Sequence, residues 1–482
     1  TPPEGTQYRG GYNMDLFQQM RALVQQAILD LVAADALPGG LSTDAVRVEP
    51  ARDPLHGEMA TNAALVLAKG AGLRPRDVAL ALTERLMRDD RLASATVAGP
   101  GFVNLRLVPS VWQAVPAWIL QSGGAWPEHP EGRTGQGGPV SIACLWAEAQ
   151  GALSLDEARA AVLAEATARM LRHGGIEASA VFLRAKDPGQ PFDALAPAEP
   201  LALLTSSDLV TSPEAESAAQ ALRAEGLIDR GALDARPHKR PEDWQPAAQT
   251  LLRTSDFGDE TDRVLARADG SATAFAAELA AAALRLSQPC AELIDIIPAS
   301  LGSQAARLAA SARVLGSLEP NAPEPRHHLT QLQPLTLMRD SVPLPPGDQT
   351  VSELIAGLGS DIARFALLAR RPDGALELEL RAATEQSRAN PVFNVQYAHA
   401  RAARVLRLAQ TQGVDTSDAA LARADLGDLH AEAQLALLRK LAEWPRIAEI
   451  ALRLRAPHRL AAWLDDLAGV FDRLWSAGAA DP

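Results

Sequence analysis

The chain has few cysteines, few lysines and no long apolar run, and each shortage excludes a class of protein. Cys144 and Cys290 are the only cysteines, too few for a disulfide framework or a structural zinc site. His327 and His328 have no further ligand at metal-binding spacing, so we expect a solvated pair. No apolar run reaches the roughly 18 residues that a membrane span needs, and no signal-peptide pattern opens the sequence. We therefore expect a cytoplasmic protein without a membrane span, metal or other cofactor.

Acidic residues outnumber basic residues in this chain. The 482 residues include 46 lysines and arginines against 59 aspartates and glutamates, which gives a net charge of -13, and only four of the cations are lysines. An acidic total gives no general help to nucleic-acid binding, although it is compatible with a local basic face. Hydrophobic residues make up 47% of the chain, enough for several cores, so we expect about two to four domains.

Residues 139–175 organise the rest of the chain. Val140–Trp146 is a short apolar run that predicts a buried parallel strand. From Leu155 onward the apolar residues recur at helical spacing, and Gly174-Gly175 marks the end of that helix. A strand, a tight turn and a helix form the first half of a βαβ unit, and nucleotides often bind at such a turn.

The turn itself, Ser154-Leu155-Asp156-Glu157, favours a structural role over nucleotide binding. Ser154 and Glu157 have the spacing of a capping box, and the two carboxylates suit the positive end of the helix dipole. A phosphate near both would meet a repulsion of roughly 4 kcal/mol per unit pair at about 4 Å and an effective dielectric constant of ~20. We therefore expect no ATP at this turn.

Composition and periodicity divide the chain into five parts. Residues 1–13 are interpreted as a tail, with Met14 as a candidate original start, and residues 14–120 predict a small α+β domain. Residues 121–139 are a linker rich in glycine and proline. Residues 140–380 predict an α/β core with a doubly wound parallel sheet of the Rossmann-like kind. Residues 381–482 predict an α-helical bundle.

Three blocks of sequence point to a known family. They are His56-Gly57-Glu58-Met59-Ala60-Thr61-Asn62 with Gly99-Pro100-Gly101-Phe102-Val103-Asn104, Phe257-Gly258-Asp259 with Asp269-Gly270-Ser271, and Asn390-Pro391-Val392-Phe393-Asn394-Val395-Gln396-Tyr397-Ala398-His399-Ala400-Arg401. In this order they resemble the N-terminal tRNA-elbow domain, a segment of the catalytic core and the start of the anticodon-binding bundle of bacterial arginyl-tRNA synthetases. The resemblance covers nearly the whole chain from Met14, and it implies a class I synthetase core.

The resemblance implies a ligase that activates arginine with ATP and transfers it to tRNA, but the motifs for this chemistry are altered. The family's His-x-Gly-His turn falls on residues 154–157, and its Asn-Pro just upstream falls on Glu148-Ala149. Its lysine loop falls on residues 341–349, which contain three prolines and no lysine. The family's polar groups beside the adenine fall on residues 297–301, which end in Ser300-Leu301.

The implied arginine pocket is changed as well. A tyrosine, an aspartate and a tyrosine-histidine pair of the family fall on Ala274, Glu278 and Ala281-Ala282, so only Glu278 keeps a carboxylate. Small and apolar side chains at the other positions suit a closed pocket. We therefore expect a fold that was kept after its reaction was lost.

The resemblance also implies tRNA binding, in a weakened form. It places possible tRNA or RNA contacts at Asn62, Asn104, Tyr397, Arg401 and Arg404. Asn394, however, stands where the family usually has an aromatic residue, and the bundle is expected to be truncated because the sequence stops before the family's last helices. In an acidic chain, a solvated helix face is the ordinary interpretation of the arginines between 401 and 407.

Three functions remain open. The first is a catalytically inactive scaffold that binds a protein partner or a second copy of itself. The second is a tRNA- or RNA-binding regulator without ligase activity, and the third is an arginyl-tRNA synthetase with aberrant motifs. For the first, the truncated bundle predicts an apolar interface that includes Trp463, Leu467, Phe471 and Trp475.

Overall fold

The structure is a computed structural model that describes residues 15–51, 56–121, 138–186, 195, 201–232, 248–318 and 325–480. The predicted tail 1–13 and nearly all of the predicted linker 121–139 lie outside these residues. The strands are β1 (Val48–Pro50), β2 (Met59–Thr61), β3 (Leu92–Ala98), β4 (Phe102–Leu107), β5 (Val140–Trp146), β6 (Ala178–Arg184), β7 (Ala202–Thr205), β8 (Ile228–Gly231), β9 (Gln249–Leu252), β10 (Arg263–Ala266), β11 (Glu292–Pro298), β12 (Arg326–Leu332), β13 (Leu335–Arg339), β14 (Val342–Pro343) and β15 (Leu376–Glu379).

The helices alternate with these strands in the first three quarters of the chain and then follow one another. They are α1 (Leu16–Ala33), α2 (Ala63–Ala71), α3 (Pro75–Leu86), α4 (Pro109–Gln113), α5 (Val115–Gln121), α6 (Leu155–His173), α7 (Ser206–Val210), α8 (Pro213–Ala224), α9 (Ala274–Leu286), α10 (Ala305–Gly316), α11 (Val351–Leu368), α12 (Leu380–Thr384), α13 (Pro391–Thr411), α14 (Asp418–Leu421), α15 (Glu432–Ala442), α16 (Trp444–Leu454) and α17 (His458–Ala480). Among the described residues, no helix has the length and apolarity to cross a membrane.

A five-stranded parallel sheet forms the centre of one compact unit, in the order β12-β11-β5-β6-β7. All residues of β5 and β11 except the last of each are buried, as expected for the inner strands of a parallel sheet. The chain winds outward from β5 to β7 and later places β11 on the other side of β5. The topological switch point therefore lies between β5 and β11, and the predicted doubly wound core is confirmed.

The strand, turn and helix of residues 140–173 form as predicted. β5 has the predicted limits, and α6 begins at Leu155. The Ser154 hydroxyl accepts a hydrogen bond from the Glu157 backbone N–H, and the Glu157 carboxylate accepts one from the Ser154 backbone N–H. These reciprocal bonds are the predicted capping box. Gly175 follows the helix with a φ of 79°, which glycine adopts without strain.

The other compact unit combines residues from both ends of the chain. Its antiparallel sheet, in the order β1-β2-β4-β3, packs with α1, α2 and α3 as the predicted α+β domain. The same hydrophobic core contains Leu435, Leu438 and Ala442 of α15. The Gln113 side chain also donates hydrogen bonds to the backbone carbonyls of Gly427 and Leu429. Segments about three hundred residues apart therefore fold around one core. The five domain limits stay predictions.

Candidate functional site

The switch point between β5 and β11 is where a doubly wound fold normally binds its ligand. Three segments end or begin there: the turn after β5, the 3-10 helix Ala299–Gln304 after β11, and the first turns of α9. We call these segments the switch-point region. It contains all the positions that the sequence assigned to a degenerate ATP or arginine site: Glu148, Ser154, Asp156, Glu157, Ala274, Glu278, Ala281, Ala282, Ser300 and Leu301.

A buried ion pair occupies the turn on which the family's His-x-Gly-His motif is expected to fall. Glu157 uses one carboxylate oxygen for the capping box, and its other oxygen accepts a hydrogen bond from Nε of Arg184 at 2.6 Å. The Arg184 side chain has no exposed surface, and it also donates to the backbone carbonyls of Gly151 and Lys186. Both carboxylate oxygens of Glu157 are therefore engaged within the protein.

Asp156, the second carboxylate of the turn, also has a structural partner. It accepts a hydrogen bond of 2.8 Å from the backbone N–H of Leu335, the first residue of β13. Burial raises the pKa of Asp156, while the bond from Leu335 opposes that rise. One turn further along α6, the buried guanidinium of Arg159 donates to the carbonyls of Gln333 and Arg371. The first turn of α6 is thus bonded to the segments on both sides of it.

Glu278, the only carboxylate kept in the implied arginine pocket, is paired with an arginine of the same chain. It is 6% exposed, and Nη2 of Arg307 in α10 lies 2.6 and 2.7 Å from its two carboxylate oxygens. Burial raises the pKa of Glu278 to about 7, and the charge of Arg307 acts in the opposite direction. Glu148 is exposed on the turn after β5, and its negative charge contributes to the rise.

The remaining positions of the implied pocket join the hydrophobic core. Ala281 is buried with Ala143, Leu145 and Ile297, and Ala274 and Leu301 pack against this cluster. Ala282 packs against a second cluster on the other side of α9, and Ser300 is exposed at the start of the 3-10 helix. This packing agrees with the expected closure of the pocket. The roles assigned to these positions stay predictions.

The loop on which the family's lysine loop is expected to fall, residues 341–349, is held at both ends. Asp340 and Ser341 form its turn with positive φ values of 51° and 62°, and their backbone N–H groups donate to the Glu379 carboxylate. At the other end the Gln349 amide bonds to Leu337 N–H and to the carbonyls of Leu337 and Leu344. A loop fixed in this way offers no mobile cation to the switch-point region.

The possible RNA contacts differ in how many of their hydrogen-bonding groups already bond to other residues of the chain. Asn62 bonds to the backbone at Ala45 and Arg47, and Asn104 lies in β4 between β2 and β3. Arg401 bonds to Asp472 and to the Tyr397 hydroxyl, and it lies over the rings of Tyr397 and Trp475 at 4.1 and 5.0 Å. Arg404 is exposed. RNA contact at these five positions stays a prediction.

The predicted protein interface is wrong for one of its residues. Trp463 is 8% exposed, because its ring packs 4.9 Å from that of Trp444 and its indole N–H donates to the Lys440 carbonyl. Leu467 and Phe471 are half-buried, and Trp475 is 37% exposed. Val405, Leu406 and Leu408 on α13 are more exposed than these residues, at 46%, 47% and 55%.

Sequence reasoning missed several buried charge clusters of the core, two of which involve charged residues of β6 and β11. One is the Glu157–Arg184 pair. In the other, Arg285 bonds to Ser141 and Asp295, and Asp295 also bonds to His327 at 2.8 Å. Burial alone would raise the pKa of Asp295, but Arg285 and His327 hold it below its usual value. The expected solvated His327-His328 pair is therefore wrong for His327. No cluster of metal ligands occurs among the described residues. For the buried charge clusters, the only signal in the sequence was a charged residue within or at the end of an apolar strand.

The parallel sheet with its switch point and the helical C-terminal part define a class I synthetase architecture. Among solved structures, the chain is similar to the Thermus thermophilus arginyl-tRNA synthetase, with a TM-score of 0.65 at 17% identity over 95% of this chain and 91% of that one. It is also similar to the Plasmodium falciparum arginyl-tRNA synthetase, with a TM-score of 0.66 at 10% identity over 96% and 92% of the two chains. At these identities the likeness establishes the fold.

Family models and sequence relatives identify the family. Residues 18–107 match the arginyl tRNA synthetase N terminal domain, and residues 395–479 match the DALR anticodon binding domain. A protein of Ruegeria pomeroyi named arginine–tRNA ligase is 37% identical over 96% of this chain and 92% of its own length. One of Cereibacter sphaeroides with the same name is 36% identical over 97% and 93%. The chain belongs to the arginyl-tRNA synthetase family.

The chain is shorter than these relatives in the regions that align. The alignment with the Ruegeria pomeroyi protein extends over 544 positions, whereas this chain has 482 residues. More than a tenth of the aligned positions therefore have no residue here.

Proposed function

We propose that this chain binds tRNA and that arginine is the amino acid for which its core was built. One observation carries the proposal: the identity of up to 37% to proteins named arginine–tRNA ligase extends over 96% of the chain. The matches to an N-terminal domain and an anticodon-binding domain of such enzymes support it from both ends of the sequence. The net charge of -13 means that any tRNA contact depends on local cations, such as exposed Arg404, and not on the total charge.

Ligation of arginine to tRNA is the first candidate for the reaction, because it is the reaction in the names of the relatives. Activation of the amino acid needs hydrogen-bond donors or cations where negative charge develops on a phosphate. Arg184 and Arg307 are cations of the core that reach the switch-point region, and each is already paired with a carboxylate. If ligation relies on these two cations of the described residues, at least one of the pairs has to open when the substrates bind.

Binding of tRNA without ligation is the second candidate, and a specific observation favours it. The carboxylates Asp156 and Glu157 stand at the turn where a nucleotide would place its phosphates, and both are satisfied by the protein's own donors. An incoming phosphate would meet their charges without gaining a free donor. A scaffold role is not part of this proposal, because the relatives described above are named as ligases and Trp463 is buried.

Three measurements on the full chain test the proposal and separate its two candidates. Filter binding with an arginine-accepting tRNA transcript, against a transcript for another amino acid, measures recognition at several salt concentrations. Transfer of labelled arginine to the same tRNA, and arginine-dependent exchange of pyrophosphate into ATP, measure the reaction. The Ruegeria pomeroyi relative serves as the positive control.

The outcomes differ for each candidate. Labelled tRNA establishes the first, and preferential binding of the arginine-accepting transcript without label or exchange establishes the second. Equal, weak binding of both transcripts, with no label, would show that the proposal is wrong.

A further inference from the structure

Burial of the Glu278 carboxylate costs folding free energy, because the charge loses its hydration. It lies on α9 with Phe275, Leu279 and Ala281 around it, all of them buried. A carboxylate in such surroundings is stable only when a cation or several donors satisfy it. The first turns of α9 lie at the carboxyl edge of the sheet, beside the switch point. A fold of this kind binds its ligand at this place.

The partner that satisfies Glu278 approaches it in an unusual way. Only Nη2 of Arg307 contacts the carboxylate, at 2.6 and 2.7 Å from the two oxygens. Nε of the same guanidinium is buried and has no hydrogen-bond partner, and the guanidinium carbon lies 5.7 Å from the centre of the Phe275 ring. An arginine usually meets a carboxylate with two parallel N–H···O bonds from two different nitrogens.

A second pair in the same unit shows the usual geometry. Arg263 donates from Nε to one oxygen of Asp259 at 2.7 Å and from Nη2 to the other at 2.6 Å. Arg263 is the first residue of β10 and Asp259 precedes it by four residues, so this pair is local in sequence. Arg307 reaches Glu278 from another helix and leaves one donor unsatisfied. The Glu278 carboxylate is thus paired with a single nitrogen of Arg307, and not with two nitrogens as in the usual geometry.

We propose that Arg307 is a built-in occupant of a guanidinium subsite at Glu278, which excludes free arginine until its side chain moves away. The ligand class follows from the shape of the group that would be displaced: a planar cation that fits between a carboxylate and the face of Phe275. This inference rests on the arginine-related function proposed above and names the residue that controls access to it. It applies to both candidate reactions, since either a ligase or a binding protein would have to move Arg307 to admit arginine.

The protonation of Glu278 provides an independent readout. Burial raises its pKa to about 7, and Arg307 opposes that rise. When the guanidinium of Arg307 is removed, the carboxyl therefore holds its proton more strongly. A guanidinium that enters the vacated subsite has to displace this proton. Its binding should accordingly strengthen as the pH rises from 6 to 8, because deprotonation of Glu278 becomes easier over this range.

The test is replacement of Arg307 followed by addition of its missing group. Arg307→Ala in the full chain is titrated with L-arginine, with millimolar guanidinium chloride, and with L-citrulline, which has a similar shape and no charge. Melting temperature and calorimetric heat report binding. We expect arginine and guanidinium, but not citrulline, to raise the melting temperature of the variant. Arginine should bind it at least tenfold more tightly than it binds the wild type, and more tightly at pH 8 than at pH 6.

Arg253→Ala is the matched control, because it removes an arginine from Asp229, a carboxylate outside the switch-point region, and the charge of Glu278 is not among those that act on Arg253. Arg307→Met, which keeps the apolar stem and should fold more readily, is the second test variant. The proposal is overturned if arginine stabilises Arg307→Met or Arg307→Ala no more than Arg253→Ala, or no more than citrulline does. None of these measurements uses ATP or tRNA, so their outcome is independent of the arginylation and tRNA-binding assays.

Discussion

Replacing Glu157 by glutamine removes the charge of the buried turn while keeping its shape. Glutamine is an accepted partner in a capping box, so its amide oxygen can still accept the Ser154 backbone N–H. What is lost is the negative charge beside Arg184, whose Nε lies 2.6 Å from the carboxylate and whose side chain is fully buried. Glu157→Gln therefore isolates the ion pair from the helix cap.

The expected loss follows from the surroundings of Arg184. Removing one partner of a buried ion pair destabilises a protein by about 3–5 kcal/mol, because an uncompensated charge remains. The carbonyls of Gly151 and Lys186 continue to accept bonds from Arg184, so the lower end, about 3 kcal/mol, is expected for Glu157→Gln. Arg184→Met leaves Glu157 without its cation and should cost a similar amount. In the double variant neither charge remains, so its loss should be smaller than the sum by about 1–3 kcal/mol.

The assay has to report the unit that contains α6, because the chain has two compact units that need not unfold together. Hydrogen exchange of peptides from β5 and β6, measured along a urea series, gives the free energy of unfolding of that unit alone. A change below about 1 kcal/mol for Glu157→Gln would refute the claim that the buried charges compensate each other. Strictly additive losses in the double variant would refute it as well.

Three further predictions follow from the same region. Ser154→Ala should lower the free energy of unfolding by about 0.5–2 kcal/mol. The loss should lie towards the lower end because the capping bond is 3.3 Å long. A loss larger than that of Glu157→Gln would contradict the structural assignment of the turn. Burial raises the pKa of Glu278 from 4.5 to about 7, so the folded protein holds this proton more tightly than the unfolded chain does. The wild type should therefore lose stability relative to Glu278→Gln as the pH rises from 4.5 to 7. Melting curves at several pH values measure this difference, and a slope of opposite sign would exclude the raised pKa. Calorimetry with ATP should show a dissociation constant weaker than about 1 mM, or less than ~4 kcal/mol of binding free energy, if the chain binds tRNA without ligation; tighter binding would favour the first candidate.

Local pattern was sufficient for the elements that carry the switch point. The limits of β5 and the start of α6 could be predicted because a continuous apolar run, helical spacing and a capping box all act between residues a few positions apart. The small α+β domain was predictable for the same reason. The resemblance to a known family then supplied the order of the domains, which periodicity alone could not.

The partners of the buried charges could not be predicted in this way. Arg184 lies 27 residues from Glu157, and Arg307 lies 29 residues from Glu278, and nothing in the sequence distinguishes these two from the other arginines. Which arginine reaches which carboxylate is decided by how the helices pack on the sheet. The errors at His327 and Trp463 have the same origin, because Asp295 and Trp444 bury them through contacts between elements.

The core shared by the N-terminal domain and α15 has a consequence for the order of events during synthesis. Leu435, Leu438 and Ala442 pack with residues of α1, α2 and α3, and the Arg439 guanidinium lies over the ring of Trp112 and beside Glu58. The first domain leaves the ribosome at a rate of about 5–20 residues per second, so tens of seconds pass before α15 is available to it. During this interval the apolar surface that will receive α15 is exposed to solvent and to chaperones. A chain released before residue 432 would keep that surface exposed, and cellular quality control could recognise it as unfinished.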